Sequence, residues 1–160
     1  MSEQHSVLRD LDKRELAKAG VVGVIIALLL SAIMVPVFKA GVAPMPMQPS
    51  LAFAETVLGR PLPLVVGLFF HLAYVTLWSM TFVVLFRTRL TFRNALLLAL
   101  GLWIVALVVF FPIVGWGFLG LAVGPKLIVA ALVPHLLFAV FLWIGCRIAF
   151  SASARAESVR

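Results

Sequence analysis

Four long apolar runs alternate with short polar stretches along the chain, and Lys or Arg residues stand at or near their ends. The runs cover about 19–38, 62–86, 94–113 and 126–148. At 1.5 Å of rise per residue each is long enough to cross a hydrocarbon layer of about 30 Å, so each predicts a membrane-spanning helix. Residues 19–148 then form a membrane domain, with polar tails at 1–18 and 149–160. In the first tail Leu8, Leu11 and Glu15 recur at three- and four-residue steps, which predicts a short helix on the membrane surface. In the first run Ala19, Gly23 and Ala27 recur every four residues, a small-residue stripe suited to close helix packing.

The connections carry their own signals. Pro44, Pro46 and Pro49 break the chain after the first span. Ser50 then reads as the N-cap of a short interfacial helix, 51–58, that stops at Gly59. A Gly- and aromatic-rich turn, 114–124, precedes the fourth span. Pro125 suits the start of that span, because the N–H it lacks would be unpaired there. The expected fold is all-α: a polytopic four-helix membrane bundle.

Composition agrees with this pattern. The chain has 160 residues, 64% of them hydrophobic and 12% charged, whereas soluble domains carry about 25% charged residues. The net charge of +7 does not point to nucleic acid, because the basic residues flank apolar runs. Arg9, Lys13, Arg14, Lys18, Arg87, Arg89, Arg93, Arg147, Arg155 and Arg160 fall on one side of the predicted spans. Only Lys39, Arg60 and Lys126 fall on the other. Ten against three places both termini in the cytoplasm of a bacterial-type inner membrane. The first apolar run is longer than the roughly 7–15 residues of a signal-peptide core, so it is expected to remain as a span.

The second and fourth spans echo each other. Each contains His-Leu followed by an aromatic-rich stretch ending in Trp, from His71 to Trp78 and from His135 to Trp143. This suggests a parallel duplication of a two-helix unit. His71 and His135 are also the only ionisable side chains set well inside the apolar runs, and such groups are costly in hydrocarbon unless they bind something. His71 lies eleven residues after Arg60 and His135 nine after Lys126. That spacing predicts matched depths near the bilayer middle, roughly 14–16 Å in.

Two facing imidazoles on parallel helices suit axial ligation of one b-type haem. Gly67 and Ala131, each four residues before a histidine, would give a flat macrocycle clearance beside its ligands. Pro134 frees the carbonyl of Ala130 for a hydrogen bond or a bend. No Asp, Glu or Cys accompanies the pair at depth, which disfavours zinc and non-haem iron. Nor does a carboxylate or lysine occupy a span, which disfavours proton- or sodium-driven transport. Met45 and Met47 could offer thioethers to Cu(I), but they read more simply as packing residues. Cys146, the only cysteine, excludes an internal disulfide and reads as a small packing residue; palmitoylation is the alternative. The turn containing Gly115, Trp116, Gly117, Phe118, Leu119 and Gly120 reads as an interfacial aromatic belt, or as the lining of a quinone-head pocket near a haem.

The segment Pro44-Met45-Pro46-Met47-Gln48-Pro49, the following Leu58-Gly59, and one His in each of the second and fourth helices resemble small four-helix bacterial inner-membrane proteins of unassigned function. The resemblance spans about 40–145 and implies topology alone. The specific expectation is a single-haem electron-transfer or quinone-linked membrane subunit, with partner membrane subunits or quinone as its company in the lipid bilayer. The alternatives are an accessory or scaffold subunit whose histidines serve packing, and a binder of a lipid or small hydrophobic solute.

Overall fold

A computed structural model of the chain describes residues 13–87 and 89–157, with side chains described as far as residue 150. Every regular element among them is helical. α1 spans Lys13–Lys39, α2 Pro49–Leu58, α3 Leu64–Phe86, α4 Phe92–Ile113 and α5 Lys126–Glu157. α1, α3, α4 and α5 are long and apolar enough to cross a membrane, α5 over Lys126–Phe150. Leu8 and Leu11 lie outside the described residues, and Glu15 sits in the first turn of α1.

α1 packs along α3, α4 along α5, and α1 also along α5. α3 and α4 follow each other in sequence yet touch little, so they diverge from the short turn that joins them. The small-residue stripe on α1 explains much of the packing. Ala19 and Ala27 are buried in the main core. A Cβ on Gly23 would stand 2.7 Å from the Thr76 Cα, so the α1 and α3 backbones meet there without intervening side chains. Gly145 of α5 makes room in another way, for the Val22 side chain of α1, whose Cγ1 would stand 2.8 Å from an added Cβ. Such close approaches give membrane helices the van der Waals contact that lipid exclusion cannot supply. At one end, Glu15 of α1 meets Arg87 after α3 at 2.9 Å. Phe92 of α4 meets Trp143 of α5 edge to face nearby. Cys146 is fully buried in this core, in line with the packing reading.

Local boundaries differ from the sequence expectation for identifiable reasons. α2 begins at Pro49 with Gln48 at the cap, not at Ser50. Proline at the first helical position costs no hydrogen bond, and its fixed φ starts the helix. Gly59 does close α2, in the left-handed conformation (φ 65°), with its N–H donating to the Glu55 carbonyl. α4 starts earlier than expected because Thr91 caps it, its hydroxyl accepting from the Asn94 N–H.

The turn between α4 and α5 folds inward. Trp116 is only 7% exposed and packs on Phe111, with ring centroids 5.2 Å apart. Gly120 (φ 77°) lies so close to Leu127 and Phe111 that no side chain would fit. Trp116 is therefore a core residue and not part of a belt. Phe118, 61% exposed, is the aromatic of that turn that faces outward.

Candidate functional site

The four spans and α2 enclose a cavity of about 530 Å³ in the half of the bundle nearest α2, within the roughly 300–1,000 Å³ of small-molecule and cofactor sites. His71 of α3 and His135 of α5 both line it. Since α3 and α5 have no extended contact, the cavity is the space between them, walled on its flanks by α1 and α4. Aliphatic side chains and aromatic rings make up most of the lining, the rings including Phe53, Tyr74, Trp78, Phe110 and Phe138. No Lys, Arg, Asp or Glu takes part.

The two imidazoles are differently supported. His135 Nδ1 lies 2.7 Å from the Ala131 carbonyl. A carbonyl only accepts, so Nδ1 carries the proton and, in the neutral ring, Nε2 keeps a lone pair. Ala131 thus orients the ligand candidate through its backbone. The carbonyl that serves this purpose is one residue on from that of Ala130, which Pro134 leaves without its helical donor. His71 Nε2 is buried with no hydrogen-bond partner. The Ala27 backbone of α1 lies within hydrogen-bonding reach of the ring. Farther along α3, Ser79 donates to the Val75 carbonyl, and the Thr76 hydroxyl is likewise buried and unpartnered. A buried ring nitrogen without a partner calls for an explanation beyond packing.

The histidines share a cavity but not a level. Val22 of α1 packs against Gly145 of α5. Counting ten residues along each of these antiparallel helices brings His135 opposite residue 32, whereas His71 neighbours Ala27. Five residues of rise make the offset roughly 7 Å. Arg60 was a poor ruler, because Pro61 and Pro63 keep the chain extended until α3 starts at Leu64.

Gly67 does not line the cavity. A Cβ there would stand 2.7 Å from the Leu51 Cβ and 2.9 Å from its Cα, so this glycine admits α2 against α3. Ala131 does line the cavity. The turn around Trp116 does not; Trp116 instead borders a second, more open hollow with Glu55, Thr56 and Arg60.

Sequence reasoning missed one contributor. α4 contains a π-helical stretch, Ala106–Phe110, in which the Phe111 N–H reaches back five residues to the Ala106 carbonyl. Pro112 lies just beyond. Its ring crowds the preceding turn and it has no N–H to give Val108, and both effects favour a widened turn. Ala106 and Phe110 from this stretch line the cavity. The proline was the available signal.

Comparison with protein-family models, curated proteins and solved structures finds no match. The geometry alone carries the functional argument. Two histidines cannot make a mononuclear centre of three or more protein ligands, and no cluster of that kind occurs among the described residues. Two imidazoles do suffice for a macrocycle that supplies its own four equatorial donors.

Proposed function

We propose that this chain is a multi-pass protein of a bacterial inner membrane, with both termini cytoplasmic, that holds a single b-type haem between His71 and His135 and serves in electron transfer. One observation carries the reading: two imidazoles from helices that do not pack together line one cavity, and the buried Nε2 of His71 has no closer partner than the Ala27 backbone of α1. The Nδ1–H of His135, fixed on Ala131, leaves that ring in the tautomer a metal requires. The pairing of α1 with α3 and of α4 with α5 supports a duplicated two-helix unit, each unit contributing its histidine from its second span.

The uncharged lining favours a second reading, a neutral lipophile in the same cavity, because haem propionates would find only groups such as Gln48 and Ser50 at its edge. An absorption spectrum of protein purified from haem-replete cells, before and after reduction, separates the two. Bis-histidine bands that vanish in both His71→Ala and His135→Ala support haem. A featureless spectrum from folded protein sinks it.

A further inference from the structure

The cavity has a side entrance. α3 and α4 touch little after the turn that joins them, and three residues bordering the resulting gap both line the cavity and face outward. These are Tyr74 (38% exposed) and Leu77 (59%) on α3, and Val105 (48%) on α4. The gap is closed above by α2. Its Phe53 stacks on Phe110 of α4 at 4.8 Å and meets Phe70 of α3 edge to face at 6.0 Å, forming a lintel between the two spans. Gly67 holds that lintel in place by admitting Leu51. The opening therefore faces the hydrocarbon and not the water.

We infer that this opening between α3 and α4 is a lateral portal through which an uncharged, lipid-dissolved quinone reaches the cavity, its ring among the aromatic side chains and its isoprenoid tail left in the bilayer. Charge selects this class. An anionic lipid headgroup would meet no Lys or Arg on the lining, and a cation would meet no carboxylate. The rim does offer Tyr74, whose O–H can donate to a quinone carbonyl, and the aromatic walls suit a flat ring. The inference rests on the second reading above, a neutral lipophile in this cavity, and takes the place of haem there, since about 530 Å³ does not hold both.

The test uses the full chain in lipid nanodiscs, stripped of any haem, with a decyl-substituted benzoquinone as probe and tryptophan fluorescence as readout. Trp78 lines the cavity, so saturable quenching that is largely lost in Trp78→Phe is expected. Narrowing the portal with Leu77→Phe and Val105→Phe together should weaken the apparent affinity by about tenfold. Val129→Phe, on a lipid-facing position outside the cavity (65% exposed), should leave it unchanged. Thermal unfolding serves as the check that the variants fold. Non-saturable quenching, the same in the portal variant and the control, would mean simple partitioning into the bilayer and would overturn the portal. Displacement of the probe by a fatty acid or phospholipid but not by a second quinone would overturn the neutral-quinone assignment. A missing haem band leaves this readout intact, so the two proposals fail separately.

Discussion

Replacing Gly67 with Ala tests the role assigned to it. The added methyl would start 2.7 Å from the Leu51 Cβ and 2.9 Å from its Cα, against an ordinary carbon–carbon contact of about 3.5–4.0 Å. Rotating a side chain cannot relieve a clash with Cα and Cβ, so α2 must move away by roughly 1 Å. That displacement strains the Phe53 contacts with Phe70 and Phe110. Overpacking of this kind costs about 1–3 kcal/mol. The usual gain in helix propensity from Gly to Ala is largely absent, because membrane spans are already helical before they pack. For a chain of this size each kcal/mol shifts the midpoint by roughly 2–4 °C, so thermal unfolding in detergent should show a loss of about 2–12 °C. Gly101→Ala is the matched control, since a Cβ there meets nothing within 4 Å, and its midpoint should stay put. A Gly67→Ala protein that melts at or above the parent would refute the close-approach argument and return Gly67 to its expected role beside the ligand.

Other outcomes follow from the same packing. Gly23→Leu should separate α1 from α3 at the Thr76 contact and abolish a cooperative thermal transition, or lower its midpoint more than Gly67→Ala does. Trp103→Phe removes the hydrogen bond from its indole N–H to the Ile128 carbonyl at 3.0 Å, and equilibrium unfolding should show a loss of about 0.6 kcal/mol, the mean for intramembrane bonds. Glu15→Gln loses an ion pair with Arg87 whose side chains are 34% and 30% exposed and should cost no more than about 1 kcal/mol, less in high salt. Cys146, fully buried, should resist maleimide in the folded protein and react on denaturation; rapid labelling of folded protein would contradict the packing at the α1–α5 seam.

The spans were readable because hydrocarbon imposes a simple rule, a long uncharged helix. The histidine pair was readable because ionisable groups are scarce there. Partnerships between helices were harder. Gly67 and Ala131 occupy equivalent sequence positions, yet one admits α2 and the other orients an imidazole through its carbonyl. Spacing cannot distinguish those roles, because each depends on which element arrives from elsewhere in the chain. Trp116 was misjudged as a belt residue because the belt rule describes average depth, whereas the left-handed glycines around it turn the indole inward. The π-helical turn followed from one proline and was passed over because Pro112 stands so near the end of its span.

The bridging position of α2 also constrains the order of assembly. Phe53 leaves the ribosome well before its stacking partner Phe110, and the cavity wall is completed only by Phe138 of the last span. Until α4 and α5 have inserted, α2 can rest on α3 through Leu51 but has nothing to reach across to. The enclosed site thus comes into being only after α5 has been made, so no occupant can be enclosed while α1, α2 and α3 alone are in place.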